Sequence, residues 1–386
     1  MTALSAQASS TPRIQYTPRT QSLVNPGGEV EALHTFKNFP VFIGCTDQPE
    51  SVDLRADMEF GICKASGFIQ LSKLLPLELV YAEYHSEGLG GVWTRHHEEF
   101  AEFVRSFKPK SVLEIGGAAG TLAKLVLAKE NDLHWTIVEP TPNVEAQKNL
   151  TVIKGFFDEK FELNQPVDMV VHSHVLEHLY DPMSALKNIF QFSKPGGLHL
   201  FSVPHLYKWL AAKAPNTLNF EHTTFLAEEF VDYLVQKAGF KILSKKFYAE
   251  HSIFYATQKA DSLDVSLPQR YSEYKKLFLD FVEFHRNEAR ELNSRIESFQ
   301  GKIFLFGAHI FSQFLIEQGL RSDRIECILD NSQIKQGRRL YGTSLFVKSP
   351  DVLRGAGRAG VILRAGAYTE EIKKQFSSLN SEIVYF

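Results

Sequence analysis

One stretch constrains the fold more than any other: Ser111-Val-Leu-Glu-Ile-Gly-Gly-Ala-Ala-Gly120. Apolar residues of strand character run into Glu114. A turn containing Gly116, Gly117 and Gly120 follows, and Thr121-Leu-Ala-Lys-Leu-Val-Leu-Ala128 then reads as a helix. Glycine lets the backbone turn tightly and approach a ligand closely. Nineteen residues after Gly120, a second strand ends in Glu139. A carboxylate at that strand end can accept hydrogen bonds from both hydroxyls of a ribose. Strand, glycine turn, helix and strand-end acid together predict a nucleoside-binding α/β unit.

The rest of the chain extends this pattern. Residues 1–28, rich in Ser, Thr, Pro and Gly, read as a flexible N-terminal arm. Residues 29–92 mix short apolar runs with turn residues and predict a small, irregular, strand-containing module. Residues 93–265 form the main domain. It opens on a helical period from Trp93 to Phe107, with Phe100, Phe103 and Val104 on one face. Short apolar strands then alternate with helices: SVLEIG, HWTIVEP, TVIKG, DMVVHS and LHLFSVP, then KILSKKFY and SIFYATQ. Such alternation predicts a parallel sheet flanked by helices. Residues 266–300 place Tyr271, Tyr274, Leu277, Phe278, Phe281 and Phe284 at helical spacing and predict a helical connector. Residues 301–386 restart the alternation as a second, smaller α/β domain. The predicted architecture is α/β: a Rossmann-like, doubly wound domain flanked by an irregular N-terminal module and a C-terminal α/β domain.

Composition narrows the function. Lys plus Arg is 42 and Asp plus Glu is 45, for a net charge of −3. This balance offers no basic footprint for nucleic acid. No apolar run reaches the roughly 20 residues of a membrane span. The N-terminal stretch lacks the apolar segment of a secretion signal. Three cysteines, Cys45, Cys63 and Cys327, make no disulfide framework. A cytoplasmic protein acting on a small molecule is expected. Oligomeric state is not legible.

The acid position discriminates between nucleoside cofactors. A dinucleotide pyrophosphate selects G-x-G-x-x-G. Here Glu114 precedes Gly116 and Gly120. An acid there repels a pyrophosphate but tolerates an ammonium or sulfonium group. Downstream lie Asp168-Met-Val-Val-His-Ser-His174-Val-Leu-Glu-His178-Leu-Tyr-Asp-Pro and Lys194-Pro-Gly-Gly. With these segments the chain resembles the class I S-adenosylmethionine-dependent methyltransferases. Ala118 departs from the pattern, since many members carry Gly there. The resemblance implies that Gly116, Gly117 and Gly120 face the methionine moiety with Glu114 nearby, and that Glu139 holds the ribose. It implies further that Phe157 and Asp158 border the adenine and that His174 lines the methionine side.

A second segment, Asn219-Phe-Glu221-His222, follows the fifth strand, near the sheet edge where ligands bind in such folds. Histidine titrates near neutrality and can take a proton from a substrate. The whole chain resembles the sugar C-methyltransferases that act on nucleotide-linked keto-deoxysugars. Glu221 and His222 match the last two residues of that family's Tyr-His-Glu-His loop, with Asn219 in place of Tyr. His178 matches its strand-four histidine, and Tyr81-Ala-Glu-Tyr84-His-Ser86 its Tyr-rich segment. Phe306-Gly-Ala308, Asp330 to Gly337, Tyr341-Gly-Thr343 and Ala367-Tyr368 follow in the order of the family's C-terminal domain.

The resemblance implies a general base, His222, oriented by Glu221, with His178 and Tyr84 holding the substrate oxygen. It implies a nucleotide-sugar substrate and S-adenosylmethionine as donor. The family's N-terminal module carries a zinc cluster of cysteines. Here Cys45 and Cys63 have no C-x₂-C neighbours, and even with His34 or His85 the spacing does not suit zinc. No metal is expected, and packing must stabilise this module instead. O-methylation of a hydroxyl on the same scaffold, and a non-catalytic donor-binding protein, are the alternatives. A nicotinamide oxidoreductase built on residues 301–386 lacks the phosphate fingerprint.

Overall fold

The computed structural model describes residues 14–80, 91–260 and 263–386. Tyr84 and the rest of the Tyr-rich segment, His85 included, lie outside the described residues.

The central domain is a seven-stranded sheet. Its strands are β1 (Ser111–Ile115), β2 (His134–Glu139), β3 (Leu150–Lys154), β4 (Met169–Ser173), β5 (Leu198–Pro204), β6 (Phe240–Tyr248) and β7 (Ser252–Lys259), in the order β6-β7-β5-β4-β1-β2-β3. The first five pair in parallel. Helices α1 (Gly91–Arg105), α2 (Thr121–Leu127), α3 (Pro182–Phe192) and α4 (Glu228–Lys237) connect and flank them. The strand order reverses between β1 and β4, which places the ligand crevice at their carboxyl ends. The parallel expectation fails for the last two strands. β7 runs antiparallel to both β5 and β6. Only three residues separate Tyr248 from Ser252, and Ala249 takes φ +46° in the turn. A connection that short reverses the chain and cannot cross over.

The N-terminal module is an antiparallel three-stranded sheet of Val30–Pro40, Arg55–Cys63 and Ile69–Leu71. Ala56, Met58 and Phe60 alternate inward along the middle strand. That face packs on aromatic rings of other domains: Phe60 against Phe278 at 5.2 Å and Phe36 against Phe314 at 5.4 Å. Cys63 is buried on the middle strand, and Cys45 lies against the Ala308 carbonyl.

The flexible-arm expectation needs correction over its described part. Thr17–Pro18 pairs antiparallel with Lys73–Leu74, Val24 enters the core, and Arg19 is only 8% exposed. The anchoring contacts come from residues far away in sequence.

The connector is one helix, α5 (Tyr271–Glu297), about 40 Å long at 1.5 Å per residue. Tyr274, Phe278, Phe281, His285, Ala289, Leu292 and Ile296 form its buried stripe. Its first half joins the core shared by the N-terminal module and the central domain, and Leu292 and Ile296 join the C-terminal core. Phe284 faces outward. The C-terminal domain is a five-stranded parallel sheet of β8 (Lys302–Phe306), β9 (Ile325–Leu329), β10 (Val347–Lys348), β11 (Ala359–Leu363) and β12 (Ile383–Tyr385), ordered β10-β9-β8-β11-β12. Helices α6 (Ile310–Glu317) and α7 (Thr369–Leu379) complete it.

Candidate active site

The glycine turn caps the carboxyl end of β1. Gly116 takes φ +75°, and its N–H donates to the Val138 carbonyl. A Cβ on Gly117 would stand 2.7 Å from Ile137 and 3.1 Å from the Glu114 carboxyl carbon, so only glycine fits. Gly120 caps α2. Ala118 takes φ +40°, a left-handed conformation that a methyl side chain resists. Its N–H donates to Glu139 Oε2 at 3.3 Å. Glu139 Oε1 accepts from the N–H and hydroxyl of Thr141 at 3.0 and 3.3 Å. Glu114, 4% exposed, accepts the Trp135 indole N–H at 2.8 Å and thus braces the loop from beneath.

These residues fit S-adenosylmethionine. No side chain larger than methyl stands between 116 and 120, so no side chain of the turn itself fills the strand end. Glu139 is partly exposed at the neighbouring strand end. The adenine-side expectation fares differently. Phe157 turns into a cluster with Phe161 and Phe192, at 5.2 and 5.5 Å between ring centroids. Phe156, 70% exposed, is the ring that projects outward. Asp158 accepts the Lys160 N–H at 2.9 Å and closes its own turn.

His178 and His222 meet across the crevice. His178 ends a short 3-10 turn after β4, and its ring centroid lies 5.0 Å from that of His222. Asn219 shapes the opposing loop, its Oδ1 accepting the N–H groups of Glu221 and His222, both at 2.8 Å. His222 Nδ1 lies 3.1 Å from the Thr217 carbonyl. A carbonyl only accepts, so Nδ1 carries the proton and Nε2 keeps its lone pair. Burial depresses the His222 pKa, opposed by Glu177 and by the hydrogen bond to Thr217. The imidazole is therefore held neutral, the form a base needs.

The acid nearest this pair is one the sequence reading missed. Glu177 is 0% exposed, and neither carboxyl oxygen has a hydrogen-bond partner among the described residues. One of its oxygens and one ring nitrogen each of His178 and His222 lie within 4.8 Å of one another. Burial raises the Glu177 pKa, partly offset by His178 and His222. Glu221 points instead toward His178, Oε2 to Nδ1 3.9 Å. Glu177 is thus a second acid beside His222, with an oxygen within 4.8 Å of a ring nitrogen. These three residues are the one group among the described residues whose ligand atoms converge as metal ligands do.

Two further residues support the cluster. Arg19 donates to the carbonyls of Tyr180 at 2.6 Å and Thr223 at 2.9 Å, tying together the loops of His178 and His222. His174, at the end of β4, takes φ +53°. Its Nδ1 lies 3.3 Å from Glu177 and its Nε2 3.0 Å from Ser252 Oγ. It stands beside Trp93, at 4.8 Å between ring centroids.

Two stretches of the chain match known families. Residues 87–245 match the family described as "Methyltransferase domain", and residues 248–385 the family described as "C-methyltransferase C-terminal domain". A curated relative, malonyl-(acyl-carrier protein) O-methyltransferase of Neorickettsia risticii (strain Illinois), is 26% identical over 110 residues. The match covers 27% of this chain and 43% of the relative, so the chain spans less than half the length of that protein. Among solved structures, the N-methyltransferase NodS from Bradyrhizobium japonicum WM9, in complex with S-adenosyl-L-homocysteine, has 15% identity and a TM-score of 0.35, covering 44% of this chain and 88% of its own. The mitomycin 7-O-methyltransferase MmcR has 18% identity and a TM-score of 0.38, covering 44% and 55%. The seven-stranded sheet is of the Rossmann-like kind, and the domain built on it matches methyltransferase domains. The chain's last domain is of the type found in C-methyltransferases.

Proposed function

We propose that this chain transfers a methyl group from S-adenosylmethionine to carbon in a nucleotide-linked keto-deoxysugar, with His222 as the general base. The observation that carries this reading is the hydrogen bond from His222 Nδ1–H to the Thr217 carbonyl, which leaves Nε2 unprotonated in the cluster with His178 and Glu177. The match of residues 248–385 to a C-methyltransferase domain favours carbon over oxygen as the acceptor atom.

S-adenosylmethionine supplies an electrophilic methyl group on a positively charged sulfur. The turn at 116–120 and the Glu139 carboxylate hold it at the ends of β1 and β2. His222 Nε2 removes a proton from the carbon next to the ketone. His178, and Tyr84 from outside the described residues, hydrogen-bond the oxygen where negative charge gathers. Methyl transfer would require acceptor carbon, methyl and sulfur to be held in line with water kept out. A positioned base contributes about 10²–10⁴-fold to such a step.

The curated relative acts on oxygen by its name, so O-methylation of a hydroxyl is the second reading. One experiment separates them. The chain is incubated in D₂O with methyl-¹³C donor and thymidine diphosphate-linked 4-keto-6-deoxyglucose. C-methylation places the label on the carbon beside the ketone, where methyl replaces hydrogen, and sugar recovered unmethylated carries deuterium at that carbon, because only that route passes through an enolate. A label on oxygen without deuterium uptake supports the second reading. No transfer to this sugar contradicts the substrate class.

A further inference from the structure

We propose that Glu177, His174, Ser252 and His251 form a buried proton relay that carries away the proton taken by the base. The inference rests on the methyl-transfer reading, for either acceptor atom. In that reaction an acceptor C–H or O–H bond breaks and its electron pair forms the new bond to methyl. The pair of the S–C bond returns to sulfur and neutralises its charge. One proton is left on His222 at each turnover and must leave before the base can act again.

The structure offers a route behind the His178–His222 pair that is hydrogen-bonded from His174 to His251 and is joined to His222 when the Glu177 carboxyl turns to meet each imidazole. A Glu177 oxygen and a His222 ring nitrogen lie within 4.8 Å. Glu177 Oε1 lies 3.3 Å from His174 Nδ1. His174 Nε2 lies 3.0 Å from Ser252 Oγ, which lies 2.7 Å from His251 Nδ1. Every joint is a group that can both give and take a proton. A protonated Glu177 donates to His174 Nδ1, His174 Nε2–H donates to Ser252, and the Ser252 hydroxyl donates to His251. The same chain can run in the opposite sense. Glu177 and Ser252 are fully buried, whereas His251 is only partly so, in the turn between β6 and β7. His174 holds φ +53°, a conformation few non-glycine residues adopt, and strain of this kind is concentrated at functional sites.

The relay makes a prediction that simple packing does not. A serine hydroxyl passes a proton between two imidazoles only if one gives to it and the other takes from it. Because His174 faces Ser252 through Nε2 and His251 through Nδ1, the two rings must share one tautomer, both Nε2–H or both Nδ1–H. Long-range ¹H–¹⁵N correlation spectra of the full chain, labelled in histidine and saturated with S-adenosylhomocysteine, read this directly. Matching tautomers that lose their coupling in Ser252→Ala support the relay; opposite tautomers overturn it. A second readout is turnover with the 4-keto sugar in H₂O–D₂O mixtures. The relay predicts a curved dependence of kcat on deuterium content. Ser252→Ala makes it linear and lowers kcat at least about fivefold, with KM for the donor unchanged. An unaltered kcat overturns the proposal. Failure of the sugar to react at all counts against the substrate class, and the spectra still decide the relay.

Discussion

Arg339 and Asp53 form a buried, two-pronged ion pair between the C-terminal domain and the N-terminal module, with both N–O distances at 2.7 Å. Arg339 also donates to the carbonyls of Gln48 and Thr343, and Asp53 accepts the Gly342 N–H. The pair is fully satisfied, so its energetic weight shows when one half is removed. Arg339→Met leaves a buried, uncompensated carboxylate and costs about 3–5 kcal/mol. Asp53→Leu in the same chain recovers part of that loss. Urea denaturation of the single and double variants measures both effects.

Arg19 tests whether the N-terminal segment serves the site. Burial lowers its pKa to about 10, so it stays charged at neutral pH while its guanidinium is bonded, among the described residues, to the two loop carbonyls. Each hydrogen bond from a charged donor is worth about 1.5–3 kcal/mol. Arg19→Met is expected to loosen the His222 loop and lower kcat about tenfold or more with KM for the donor unchanged. Steady-state kinetics with varied donor checks this. A variant of full activity assigns Arg19 to packing alone.

Ala118 carries strain that glycine relieves. At φ +40° its methyl group costs about 1–2 kcal/mol, less the added chain entropy of glycine. Ala118→Gly is expected to stabilise the chain by roughly 0.5–1 kcal/mol and to preserve donor affinity. Thermal unfolding and calorimetry with S-adenosylmethionine measure the two outcomes.

Buried imidazoles set the acid limit. His172 and His199 share a contact of 3.0 Å between their Nε2 atoms, which requires one donor and one acceptor. Burial lowers the His172 pKa to about 3 and puts His199 well below the usual range; His251 falls to about 4 for the same reason. Unfolded histidines titrate near 6.5. As pH drops through that value, the unfolded chain binds protons that the native chain refuses. Stability therefore declines between about pH 6.5 and pH 4, by about 1.4 kcal/mol per pH unit for each such histidine. Urea midpoints measured from pH 7.5 to pH 5 should fall steeply, and His199→Phe together with His172→Leu should flatten the slope.

Much of this organisation was legible in the sequence because its signals are local. The run from Ser111 to Gly120 specifies strand, turn and helix by itself, and the spacing of Tyr274, Phe278 and Phe281 specifies a helical stripe. What was not legible depends on distant partners. Nothing near Arg19 announces carbonyls at residues 180 and 223. The adenine-side role of Phe157 and Asp158 was inferred from position, yet the ring found a better place against Phe161 and Phe192. Glu177 left one signal: an acid within the apolar run Val175-Leu176, immediately before His178. Burial pushes a carboxyl at such a place toward its neutral form, and the imidazoles of His178 and His222 oppose this only in part.

Replacement of His222 tests the account most directly. Wild-type chain is expected to move the ¹³C-methyl group onto carbon of the 4-keto sugar. His222→Asn should slow that transfer about 10²–10⁴-fold while donor affinity, read by calorimetry, stays within about twofold. Transfer by the variant at a rate near that of the wild type would contradict the account.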